Sequence, residues 1–263
     1  MSEQVSIQAR PAGFFRDLTT VAGRALRAIP REPESIIPAL IIPLFFFAVN
    51  TGSLSKVSSF TGITDYKAFQ IPVAIVFAVT GISRASALVT DIKSGYFDRL
   101  LMTPISRVAL LLGLMIADFA LVIALSIPVL ILGLIVGVDF TTGFVGMLAF
   151  LLMSGLWGLA FTGFPYAIAL KTGNPAAVNS SFLLFFPFSF LTTSFLPKEA
   201  LSGWLATAAK YNPVTYLLDG LRAIITTGWE WSSITKALMA IVIIMSISFT
   251  LAFVALKGRV RRK

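Results

Sequence analysis

Six apolar stretches, each close to the length of a bilayer crossing, constrain this chain more than any other feature of its sequence. The hydrocarbon core of a membrane is about 30 Å thick, and a helix spans it with ~20 residues. Backbone groups there find no water, so such stretches pair them internally as helices. The runs fall at about 35–50, 67–89, 108–136, 143–170, 175–195 and 233–256. The chain is 57% hydrophobic and 13% charged, whereas soluble domains carry about 45–50% apolar and about 25% charged residues. Lipid can cover this apolar surface and a soluble core cannot. The expected fold class is therefore an all-α integral membrane protein of six transmembrane helices. It divides into a cytoplasmic N-terminal region (1–34), a transmembrane domain (35–256) and a basic tail (257–263). The first run follows a mixed-charge segment with no small-residue cleavage pattern, so it is expected to stay in the mature chain rather than act as a leader.

Charge sets the orientation. With six crossings both termini share a side, and that side carries fifteen of the Lys and Arg residues against six on the other. Cytoplasmic loops hold the excess of basic residues, so both termini are expected in the cytoplasm. The net charge of +9 sits at membrane edges, which favours anionic headgroups as counter-charge over nucleic acid.

Two polar segments carry further structure. Between Phe14 and Ile29, apolar residues recur at helical spacing while Arg16, Arg24 and Arg27 gather on the other side. This pattern predicts an amphipathic helix lying in the membrane interface, its apolar side in lipid and its arginines toward headgroups. After the second run, Ile92, Tyr96, Phe97, Leu100 and Leu101 share one helical face, and Thr103-Pro104 stops the helix. A short amphipathic helix between two spans can anchor in the interface, or it can insert into a groove on a soluble partner. Both readings stand on the residues alone.

Before the last run, Pro197 suits a helix first turn, and Asn212-Pro213 reads as an N-cap followed by Pro at the first helical position. Leu201, Trp204, Leu205 and Ala208 line one face of the first short helix. Leu217, Leu218, Leu221, Ile224 and Ile225 line one face of the second, which Gly228 ends. Neither is long enough to cross, so the two read as a re-entrant hairpin. Asp219 and Arg222, three residues apart, can pair or stay solvated.

The run Gly95-Tyr96-Phe97-Asp98-Arg99-Leu100-Leu101-Met102-Thr103-Pro104, led by Asp91, resembles the signature of the ABC-2 type permeases, the membrane subunits of type V ABC exporters. Asp98 stands where that pattern has Glu, Phe97 where it has Leu and Tyr96 where it has Thr. A second match is Pro197 through Asn212, Pro213, Tyr216, Asp219 and Arg222. The resemblance covers nearly the whole chain. It implies that the loop at 91–104 is the coupling helix that meets an ABC ATPase subunit. It further implies that two permeases, identical or similar, work with two ATPases in the plasma (bacterial inner) membrane. ATP and Mg would be bound by the partner ATPase. The cargo implied is a lipophilic drug-like or lipid-linked substrate, with polysaccharide or glycolipid export as the alternative.

The residues agree with a division of labour. No His or Cys occurs, which excludes imidazole bases, thiol nucleophiles and the usual zinc sites. No Gly-x-x-x-x-Gly-Lys-Ser/Thr phosphate loop occurs either, so the energy source is expected in a separate subunit and no cofactor in this chain. Asp118 lies deep in the third run, where an acid is costly and faces a bundle interior or water. It reads either as a pathway residue or as a structural contact, for example with Arg84. The fifth run is aromatic, with Phe182, Phe185 and Phe186 as candidates for an apolar pathway lining or for ordinary core. Ser154, Gly155, Gly158 and Gly163 in the fourth run predict close helix packing. An ion-coupled secondary transporter is the rival from another class. It would show several buried charges and paired broken helices, and Asp118 is the one clear mid-span acid.

Overall fold

The computed structural model describes residues 13–54, 63, 65–80 and 82–261, and among these it is helical with no strand. Helix α1 (Phe14–Ala28) is followed by a 3-10 turn (Ile29–Arg31) and by α2 (Pro33–Leu54). Helices α3 (Tyr66–Thr80) and α4 (Ala85–Lys93) follow one another across a short break, and α5 (Tyr96–Met102) is a two-turn element. Two long helices come next, α6 (Arg107–Ile135) and α7 (Gly143–Thr172). Four short ones follow: α8 (Pro175–Asn179), α9 (Phe182–Phe190), α10 (Gly203–Tyr211) and α11 (Pro213–Arg222). A π turn (Ala223–Thr227) leads to α12 (Trp231–Arg261).

Among the described residues, five helices are long and apolar enough to cross a membrane: Ile36–Ser53, Tyr66–Lys93, Arg107–Ile135, Gly143–Thr172 and Trp231–Arg261. The expected fifth span at 175–195 is not a continuous helix. Chain length and apolarity suffice for one, but local chemistry offers the backbone alternatives. Pro187 cannot donate to the preceding turn. The hydroxyls of Thr192 and Ser194 bond each other and donate to the Ser189 carbonyl at 2.7–2.9 Å, drawing the chain out of helical geometry after Phe190. Nine residues of α9 rise only about 14 Å, well short of a bilayer core.

Buried side chains form two clusters, one toward each end of the bundle. One joins α3 (Ile71, Ile75), the C-terminal half of α6 (Val129), α7 (Phe150, Trp157), Phe185 and α11 (Leu217, Leu218, Leu221). The other joins α1 (Val21, Ala25), α4 (Leu88, Ile92), Phe97 of α5, the start of α6 (Leu110, Leu114) and the end of α7 (Tyr166, Leu170). The small residues of α7 do what their spacing predicts. A Cβ on Gly158 would lie 2.7 Å from Val122 on α6, and one on Gly163 would lie 2.4 Å from the Ser248 backbone on α12.

Helix α1 departs from the interfacial picture. Val21, Ala22 and Ala25 are buried, and α1 packs along α6, so much of its apolar side meets protein rather than lipid. Gly113 of α6 permits the approach, since a Cβ there would come within 2.8 Å of the Val21 Cβ. Phe15 and Leu26 stay exposed, as do Arg16, Arg24 and Arg27.

Candidate functional site

The loop between α4 and α6 is built around Gly95. Its φ of +71° places it in the left-handed region that favours glycine, and this turns the chain sharply between α4 and α5. Phe97 and Ile92 insert into the core at this end of the bundle, with Leu100 and Leu101 packed beside them. The face expected to dock or anchor is therefore spent largely on the bundle itself. The solvent rim consists of Lys93, Arg99, Met102, Thr103 and Pro104, with Met102 80% exposed. Asp98 and Tyr96 are half-buried. Helix α5 ends where Thr103 turns extended ahead of Pro104, its hydroxyl donating to the Leu100 carbonyl at 2.6 Å.

Helix α1 holds this element at both ends. Arg24 pairs with Asp91 on α4 and lies over the Tyr96 ring at 4.6 Å. Two turns earlier, the Asp17 carboxylate accepts from the Ser106 amide at 2.9 Å, at the entry to α6. Asp91 thus has a partner that lies 67 positions away in sequence.

Asp118 is buried, and its carboxylate is engaged by groups at the start of α4. Its carboxylate accepts from the Arg84 amide at 3.0 Å and from the Ser83 hydroxyl at 3.2 Å, so it satisfies the donors at the start of α4. The partner is the Arg84 backbone rather than its side chain. The Arg84 guanidinium reaches Glu32 at 2.8 Å, a contact the sequence reading missed because the two lie 52 positions apart. Asp118 thus ties α6 to the break between α3 and α4.

A cavity of about 580 Å³ opens between α2, the α3–α4 region and α9. Phe46, Phe77, Phe186 and Phe190 give it aromatic walls, and Glu32, Arg84 and Asn179 lie toward one end. Of the three aromatic candidates, Phe186 lines this cavity. Phe185 is buried in the core against Phe77 and Phe161, and the Phe182 side chain lies outside the described residues.

At the opposite end two short helices, α10 and α11, precede α12. Pro197 precedes a 3-10 turn (Lys198–Ala200) instead of opening a helix, and Trp204 on α10 is 74% exposed. Asn212 does cap α11, accepting from Val214 at 2.9 Å, with Pro213 at the first position. Its amide also donates to the carbonyls of Phe188 and Leu191, at 2.6 and 2.8 Å. Tyr216 donates to the Lys210 carbonyl. Asp219 and Arg222 neither pair nor stay solvated. Asp219 pairs with Lys198. Arg222 donates to the Thr193 carbonyl at 2.8 Å and the Phe69 carbonyl at 3.2 Å, and covers the Phe69 ring at 3.5 Å. Leu217, Leu218, Leu221, Ile224 and Ile225 are fully buried as expected, and Gly228 ends the helix at φ +105°.

Five long apolar helices among the described residues, a short anchored helix between the second and third, and two short helices before the last are the architecture of a multi-pass membrane protein. The ABC-2 type transporter family model matches residues 16–226, and the chain belongs to that family. It is 26% identical over 203 residues to the daunorubicin resistance ABC transporter permease protein DrrB1 of Streptomyces coeruleorubidus, covering 76% of this chain and 71% of the relative. It is 22% identical over 212 residues to the probable doxorubicin resistance ABC transporter permease protein DrrC of Mycobacterium tuberculosis, covering 80% and 76%. To the putative transport permease ycf38 of Porphyra purpurea it is 25% identical over 226 residues, covering 83% and 77%. The family consists of ABC permease subunits that work with an ABC ATPase subunit.

Proposed function

We propose that this chain is the membrane subunit of an ATP-driven exporter for lipophilic, drug-like molecules. One observation carries the reading. The α4–α5 element is fixed to the bundle by Ile92 at the end of α4 and Phe97 of α5, yet offers Lys93, Arg99, Met102 and Pro104 outward. An element held on one side and open on the other can transmit a push from a docked subunit into the core at that end. ATP and Mg are held by the ATPase, and a second copy or a similar chain completes the membrane half.

In this reading 175–195 makes the sixth passage as a broken segment. Asn179 bonds Ser86 at one end, while Ser194 and Phe195 accept from Gln70 and Tyr66 at the other. Gln70 lies on α3 and Ser86 on α4, so the two ends of the segment are tied to different helices of the same crossing. Both termini then lie on the side of α5, which the distribution of Lys and Arg makes cytoplasmic in a plasma (bacterial inner) membrane.

Support for the cargo comes from two directions. The relatives are named for daunorubicin and doxorubicin resistance, and the 580 Å³ aromatic-walled cavity is of the size that holds a drug-sized molecule. The test is co-purification with candidate ATPases, followed by ATP hydrolysis and daunorubicin efflux in proteoliposomes. The expected result is an ATPase that is retained by the wild type and lost with R99E/M102D. Retention of no ATPase by either form would overturn the reading.

A further inference from the structure

Placed at about 100° per residue, helix α1 divides into three strips. Asp17, Val21 and Ala25 are buried against the bundle. Phe15 and Leu26, within roughly 20° of each other, are exposed apolar side chains. Beside them runs a polar strip of Arg16, Thr20, Gly23, Arg24 and Arg27, continued by Arg31 in the 3-10 turn. Thr20, Gly23, Arg24, Arg27 and Arg31 line a shallow groove. A Cβ on Gly23 would meet nothing within 4 Å, so its floor is open. Arg24 pairs with Asp91, whereas Arg27 and Arg31 have no ion-pair partner among the described residues.

We infer that this groove binds the phosphate of an anionic lipid headgroup, and that Arg24 exchanges between that phosphate and Asp91, so that headgroup occupancy loosens α1 from the α4–α5 element. Guanidinium groups match phosphate oxygens with paired donors, and three of them border one groove. The adjoining exposed Phe15 and Leu26 point to a lipid source rather than a solute. Depth agrees. Val21 packs on Gly113, six residues or about 9 Å into α6, so the groove lies near the end of the crossings. The pair Arg24–Asp91 is open to competition, with the two side chains 45% and 23% exposed.

The test uses purified full-length protein in nanodiscs of phosphatidylcholine with rising phosphatidylglycerol. Retained lipid is counted by native mass spectrometry. The α1-to-α4 separation is read from spin labels at Leu26→Cys and Lys93→Cys, in a chain that has no native cysteine. Phosphatidylglycerol should bind saturably and shift the label distances outward. R27Q/R31Q should weaken that binding about tenfold and abolish the shift. R16Q, which removes an exposed charge on the same helix outside the groove, should change neither. Equal loss in R16Q would reduce the effect to general charge attraction and overturn the site. Binding with no change in distance would overturn the exchange of Arg24. The same shift produced by pyrophosphate in pure phosphatidylcholine discs would overturn the lipid assignment in favour of a soluble phosphate. These readouts need neither ATPase nor cargo, so they stand or fall apart from the export reading.

Discussion

The two ends of the bundle are held by different chemistry. At the α5 end the polar ties are charged: Arg24 to Asp91 in an exposed pair, and the buried Asp17 to the Ser106 amide. At the hairpin end, beside the partly exposed Asp219–Lys198 pair, they converge on backbone carbonyls of the broken segment and of α3: Asn212 on Phe188 and Leu191, and Arg222 on Thr193 and Phe69. Exposed ion pairs contribute little to stability and re-form easily. Buried carbonyls that lose their donors have no water to replace them. The hairpin end is therefore suited to holding a non-helical segment in an apolar setting, and the α5 end to moving without unfolding.

That contrast can be broken at four places. Arg222→Leu should be the most damaging. It strips donors from two carbonyls and should cost about 2–4 kcal/mol, seen as a lower unfolding midpoint in nanodiscs. Asn212→Ala removes a helix cap and two bonds to the end of α9, for about 2 kcal/mol. Its signature is faster amide exchange at 188–195 and in the first turn of α11. Gly113→Val forces α1 off α6 and should cost about 1–3 kcal/mol, with ATPase retention falling more than the midpoint does. Arg24→Gln should change stability by less than ~1 kcal/mol while lowering cargo-stimulated ATP hydrolysis. A large stability loss there, or none with Arg222→Leu, would erase the distinction between the two ends.

Much of this architecture was legible in the residues, because apolar length and local capping are local properties. The run 91–104, the Asn212-Pro213 cap, the buried face of α11 and the close-packing glycines of α7 all fall where spacing puts them. What the sequence hid was competition and distance. Apolarity does not register the hydroxyls of Thr192 and Ser194, which bond the Ser189 carbonyl where the fifth run leaves helical geometry. Side-chain pairing rules look three or four residues away, but Asp219 finds Lys198 and Arg84 finds Glu32 across loops. Asp118 serves backbone and hydroxyl donors, a use that residue type alone does not announce. The amphipathic pattern of α1 correctly gave a helix, but it could not tell lipid from α6 as the partner of Val21 and Ala25.

The central claim is that the α5 rim meets the ATPase. Single cysteines at Met102 and at Trp204, both highly exposed and at opposite ends of the bundle, can carry a short photo-crosslinker in an otherwise cysteine-free chain. With the ATPase present, crosslinks are expected from Met102→Cys and not from Trp204→Cys. Crosslinks from position 204 with none from 102 would contradict the account.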